Sequence, residues 1–257
     1  MTLPTFFIGH GSPMNAIENN RYTDAWILAV KRLPKPKAIL VISAHWETDG
    51  SKITSNEIQK TIQDFYGFPK KLFDVEYEPR GNADLAKRIQ KLAPEIQLDD
   101  SWGLDHGAWS VLLRTYPLAD VPTIQLSLDK NKSPREHYEL AKKLQILRGE
   151  GVLIIGSGNI VHNLRMMQRE APPEQAFDWT VEFDETVADW LAQGRLDELQ
   201  RFERLGSVAR MAHPSHEHFL PLLYAAGAVD KGESCRFMTP NYQLASVAMR
   251  SVVWGQS

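Results

Sequence analysis

At 257 residues the chain is long enough to bury a sizeable core, and it is read as one domain over 1–257. Apolar residues at 43% and charged residues at 24% are ordinary for a folded globular protein and exclude disordered and fibrous classes. A formal net charge of −3 and a pI near 6.2 leave no electrostatic footprint for nucleic acid, so a DNA or RNA partner is not expected.

The N-terminal MTLPTFFIGHGSP lacks the basic n-region of a secretory signal, so a cytoplasmic protein is expected. Its apolar run predicts a strand over 4–9 that ends at His10. A helix over 21–33 follows, then a strand over 37–44 closed by His45, and a strand over 51–55. The stretch 56–80, with QDFYGFPKKLFDVEYEPRG, combines five aromatics with Pro and Gly and no period, the profile of a structured loop that covers a site. A helix over 82–93 takes Asn82 as cap and Leu85, Ile89 and Leu92 as its apolar face. WGLDHGAW then sets Asp105 and His106 just before a helix over 108–116, where Asp105 either caps the helix or orients an imidazole.

A strand over 121–128 precedes a helix over 134–148, which has Ser133 as cap, Pro134 in the first turn and Gly149 after its end. His137 lies on that helix among charged neighbours and reads as solvated. The strand over 151–156 runs through GSGN towards His162; helices over 178–192 and 218–227 and a strand over 244–253 complete the chain. No stretch approaches the roughly 20 apolar residues of a membrane span. The alternation predicts an α/β domain with a central, largely buried mixed sheet flanked by helices. A monomer or small homo-oligomer is expected.

The one cysteine, Cys235, rules out an internal disulfide and a thiolate zinc site, so a metal must be held by His, Asp or Glu. His10, His45 and His162 each follow an apolar strand. In open α/β sheets the carboxyl ends of strands border the ligand crevice, which puts these imidazoles around one metal pocket. In MAHPSHEHFLPLLYAAG, Pro221 confines the helix start to the neighbourhood of His218. An extended lead-in places His216 and His218 on one side and Glu217 on the other, so spacing leaves the three open. GSGN lacks the remainder of G-x-G-x-x-G and instead suits a close backbone approach beneath a metal. Phosphate-loop, serine-hydrolase and H-E-x-x-H signatures are absent.

FFIGHGSP, LVISAHW, TIQDFYGFP, GLDHGAW, GVLIIGSGNIVHNLR and HPSHEHFLPLL, in this order along essentially the whole chain, resemble the class III extradiol ring-cleaving dioxygenases of the DOPA 4,5-dioxygenase type. The resemblance implies that His10, His45 and His218 are metal ligands. It implies that His162 is an active-site acid/base or a fourth metal neighbour, and that His106 lines the substrate pocket. The protocatechuate branch uses a glutamate as third ligand, which keeps Glu217 as an alternative to His218. Gln63 stands where some bacterial members carry a histidine.

The implied function is opening of a catechol such as DOPA by O₂ to a muconic semialdehyde, with one divalent ion per chain. Fe(II) is expected for activity, and Zn(II) is the ion that such imidazoles would readily retain. Two rivals use the same histidines: a zinc-dependent hydrolase of an amide or ester, and a non-catalytic metal-binding member of the superfamily.

Overall fold

The run AILVISAH alternates between two buried faces, which is why it carries no polar side chain until Ser43. In the computed structural model, which describes residues 2–255, the chain order begins β1 (Thr5–Gly9), α1 (Arg21–Val30), β2 (Ala38–Thr48) and β3 (Lys52–Thr54). Then come α2 (Lys70–Phe73), α3 (Ala83–Leu92), β4 (Gln97–Asp99), α4 (His106–Thr115), β5 (Thr123–Asp129), α5 (Pro134–Leu144) and β6 (Val152–Gly158). The C-terminal part holds α6 (Asp178–Ala192), α7 (Leu196–Leu199), α8 (Ser207–Ala212) and α9 (Leu220–Gly227). It ends with β7 (Cys235–Met238), β8 (Tyr242–Gln243), β9 (Val247–Ala248) and β10 (Ser251–Trp254).

Eight strands form one mixed sheet in the order β4-β3-β5-β2-β6-β1-β10-β7, and β8 and β9 pair separately. The central strands β5, β2, β6 and β1 are parallel. β10 and β7 continue the sheet antiparallel on one side, and β3 joins β5 antiparallel on the other. On one face Leu40 and Ile42 pack with Ile124, Leu126 and residues of α5 and α9. On the other, Ile39 and Val41 pack with Phe6, Ile155, Trp26 and Trp109 from α1 and α4. The result is a single-domain α/β sandwich whose parallel strands all present their carboxyl ends at one edge. Among the described residues no helix is long and apolar enough to cross a membrane.

Local chemistry explains the boundaries. Ser133 and Glu136 form a reciprocal capping box with Pro134 in the first turn of α5. Asn82 caps α3, and Phe219 precedes α9, whose first turn accommodates Pro221. Of the strand expected over 244–253, Leu244 and Ala245 have φ of 57° and 59° and form a turn, and the remainder falls into β9 and β10. The helix expected over 134–148 ends at Leu144, and Gln145–Arg148 is a 3-10 turn. The short elements β4, β7, α2, α7 and α8 are too brief to show a period.

His137 is fully buried, not solvated. Its neighbours in sequence are charged, but its helix face is shared with Leu140, Ala141 and Leu144, at the i+3, i+4 and i+7 positions. Nδ1 lies 2.9 Å from the hydroxyl of Tyr224 on α9. Desolvation lowers its pKa from 6.5 to about 4. Because the unfolded chain binds the proton more readily, stability falls as pH drops from 6.5 towards 4. This one group accounts for about 2 kcal/mol by pH 5. Thermal melts should show that His137→Gln flattens the loss of stability between pH 7 and 5; a pH dependence equal to the wild type's would remove His137 from the acid response.

Candidate active site

Two glycines bring the site together. A Cβ on Gly158 would lie 2.2 Å from the carbonyl oxygen of His218, so only glycine lets the lead-in to α9 rest on the end of β6. The neighbouring Asn159 N–H donates to that same carbonyl at 2.9 Å. A Cβ on Gly107 would meet Ser43 Oγ at 2.5 Å and His45 Cδ2 at 2.9 Å, so the first turn of α4 packs directly on the imidazoles. GSGN therefore does serve close backbone approach, with His218 as the residue approached.

His10 follows β1, and its backbone N–H donates to Gly158 O at 3.0 Å. Its Nδ1 is 2.9 Å from Ser157 Oγ, and that hydroxyl donates to Gly107 O at 2.6 Å. With the hydroxyl hydrogen used on the carbonyl, Ser157 accepts from His10 Nδ1–H, which assigns the lone pair to Nε2. That Nε2 lies 3.3 Å from Nε2 of His45.

His45 sits inside β2 and not at its end. The strand continues to Thr48, with its register against β5 shifting between Ile42 and Glu47. This irregularity places the imidazole on the pocket side while the backbone remains in the sheet. Ser43, two residues earlier on the same side, donates to Asp105 at 2.6 Å. Asp105 caps α4 by accepting from Ala108 N–H at 3.0 Å and also receives the amide of Gln125. It thus ties α4 to β2 and β5. Burial is the main cause that pushes its carboxyl up to about 6, with the nearby Asp64 charge acting in the same direction.

The segment 213–218 turns instead of extending, so the alternation expected for His216, Glu217 and His218 does not hold. His213 is buried, with Nε2 2.6 Å from Ile160 O, among Phe183, Phe202 and Phe219. His216 lies against Phe202 and Glu203, on the outer side of the segment. Glu217 and His218 face the pocket together: Glu217 Oε1 is 3.1 Å from His218 Nδ1. The carboxylate accepts from Nδ1–H, which leaves His218 Nε2 buried without a hydrogen-bond partner.

His162 stacks on His218 with ring centroids 3.4 Å apart and planes 8° from parallel. His106 opens α4, its ring centroid 3.8 Å from that of His45. The donor atoms form two adjoining triads, His10–His45–His106 and His162–Glu217–His218, each with all its ligand atoms within 4.8 Å of one another. The expected set His10, His45 and His218 spans both; the His218 ring is 4.9 Å from that of His45 and 5.4 Å from that of His10. All five expected histidines are therefore gathered in one place.

Desolvation by burial lowers the pKa of His10 and His218 well below 6.5, and takes His45 to about 3 and His162 to about 4. These four imidazoles are neutral at pH 7, the form that carries a lone pair for a metal. The donor set and the orphaned Nε2 fit one divalent ion. A surface cavity of about 840 Å³ shares no lining residue with this cluster.

The loop over 56–80 adds two residues that sequence reasoning left without a role. Asp64 contacts His106, and Phe65 stands edge-on to His106 at 5.6 Å. Phe65 also approaches Phe73 and Trp109. The loop is held by Trp109 Nε1–H donating to Ile62 O and by Gln63 Nε2–H donating to Val75 O, both at 2.9 Å. A lone Asp in TIQDFYGFP carries no spacing signal, because its partner His106 is 42 residues away.

The chain matches the catalytic LigB subunit of aromatic ring-opening dioxygenase over residues 5–252. It is 41% identical to a 4,5-DOPA dioxygenase extradiol of Escherichia coli K12, covering 98% of this chain and 95% of that protein. It is 39% identical to a 4,5-DOPA dioxygenase extradiol of Beta vulgaris, covering 91% and 90%. The crystal structure of an uncharacterized Escherichia coli K12 protein superposes with a TM-score of 0.85 at 37% identity, over 98% of this chain and all of the other. With the histidine cluster at the carboxyl edge of the sheet, these similarities lead to one conclusion: the chain belongs to the LigB family of aromatic ring-opening dioxygenases.

Proposed function

We propose that this protein opens the ring of a catechol beside its hydroxyls, with O₂ as oxidant and an amino-acid catechol such as DOPA as substrate. The observation that carries the reading is the 3.3 Å approach of Nε2 of His10 to Nε2 of His45, beside the unpartnered Nε2 of His218. Two nitrogens bound to one ion at about 2.0–2.1 Å lie roughly 3.0–3.5 Å apart, so the first pair is spaced for a shared metal. A buried nitrogen without a partner costs about 1–3 kcal/mol, which an ion at His218 would recover. The substrate follows the names of the relatives from Escherichia coli and Beta vulgaris.

His10, His45 and His218 are the ligands in this reading. His162, also expected as a metal neighbour, is read here as the acid/base, on the ground of its stacking on His218. A metal binds an imidazole in the plane of the ring, and two nearly parallel rings 3.4 Å apart cannot both point in-plane lone pairs at one ion. Glu217 serves as the acceptor that orients His218, not as a ligand. Fe(II) held by these residues would supply a centre that brings the catechol and O₂ together. His162, neutral at pH 7, takes a hydroxyl proton from the catechol and returns it as the ring opens. His106 and Phe65 line the substrate side of the pocket.

Anaerobically Fe(II)-loaded protein mixed with DOPA should consume O₂ and turn yellow as the semialdehyde forms. No uptake and no colour across a broad catechol panel would reject the reading, and ester or amide turnover by Zn(II)-loaded protein under strict anaerobiosis would favour a hydrolase. Metal analysis separates the histidines: His10→Ala and His218→Ala should lose the ion, whereas His162→Ala should keep it and lose about 10²–10⁴ in kcat. Loss of metal from His162→Ala would make that residue a ligand.

A further inference from the structure

We propose that Asp64 is the positioning residue for His106, fixing it as the Nδ1–H tautomer so that Nε2 is presented as a hydrogen-bond acceptor for a substrate hydroxyl. The carboxylate grips His106 twice. Oδ1 accepts from the backbone N–H and Oδ2 lies against the ring Nδ1, both at 2.9 Å. An ionised carboxylate only accepts, so Nδ1 carries the proton, and in the neutral imidazole Nε2 then carries the lone pair. The two contacts to one residue fix both the position of the α4 N-terminus and the rotation of the ring about its side-chain bonds.

The neighbouring Asp105 cannot do this work, since its oxygens are taken by Ala108, Ser43 and Gln125. Nor does Asp64 reach the proposed ligand His45 with a hydrogen bond: the separation from His45 Nδ1 is 3.9 Å. Asp64 is part-buried, with 18% of its side chain exposed, and His106 only 9%, so water competes little for the pair. Phe65, the next residue, closes one side of the His106 ring edge-on. The loop over 56–80 thereby sets the orientation of a pocket residue that belongs to α4, across 42 residues of sequence.

Only the nature of the ligand at Nε2 rests on the ring-opening reading; the tautomer does not. Long-range ¹H–¹⁵N spectra of the full chain loaded with diamagnetic Zn(II) should show His106 with a protonated Nδ1 and an unprotonated Nε2, and Asp64→Ala should abolish that preference. In Fe(II)-loaded protein, Asp64→Ala and Asp64→Asn should keep wild-type metal content while kcat/KM for DOPA falls at least tenfold, chiefly through KM. A wild-type His106 protonated at Nε2, a tautomer unchanged in Asp64→Ala, or metal loss in both variants would each overturn the proposal. If wild-type protein turns over no catechol, the ring-opening reading fails while the spectra still decide the role of Asp64.

Discussion

The contact on which the site depends is the approach of the His218 carbonyl to the end of β6. Gly158 has no side chain to hold that carbonyl away, and Asn159 N–H holds it at 2.9 Å. Through this contact the lead-in to α9 is fixed to the strand that also pairs with β1 and β2, the sources of His10 and His45. Three imidazoles, the outermost of them 208 positions apart in sequence, thus share one frame. The frame is rigid because β6 lies between β2 and β1 at the centre of the sheet, buried along its whole length.

That rigidity has an electrostatic side. Burial strips the imidazoles of water and makes their charged forms unfavourable, so they stay neutral and keep their lone pairs. Neutrality alone does not aim a lone pair. Ser157 and Glu217 do so, each accepting a hydrogen bond from the Nδ1–H of one histidine and leaving its Nε2 lone pair free. Asp64 stands in the same relation to His106. Three different acceptors on three different segments thus impose one tautomer on three rings.

Much of this was legible in the sequence, and the failures are instructive. The positions of His10 and His162 follow from apolar strands that end in glycine-rich turns, a signal local to each motif. The start of α5 was likewise readable from Ser133 as cap and Pro134 in the first turn. His45 reads as a strand end because the apolar run AILVISA stops before it, yet hydrogen bonding carries β2 on through an irregularity to Thr48. His137 misled because charged neighbours along the chain lie on a different helix face. Asp64, Ser157 and the turn that brings Glu217 beside His218 could not be read, since each matters only through a partner that folding brings to it.

Two aspartates make the same point about environment. Asp105 is fully buried and tied to neutral donors, and the cost of ionising it there drives its carboxyl up to about 6. For Asp64 the burial cost is outweighed by hydrogen bonds from the ring and backbone of His106, which hold its carboxyl below the usual range. The charge at neutral pH is therefore better sustained on the loop that borders the pocket than on the post behind it. With Glu217 on the far side of the imidazoles, negative charge flanks a neutral cluster from two directions. A dication held among the rings would gain from the charge of both carboxylates.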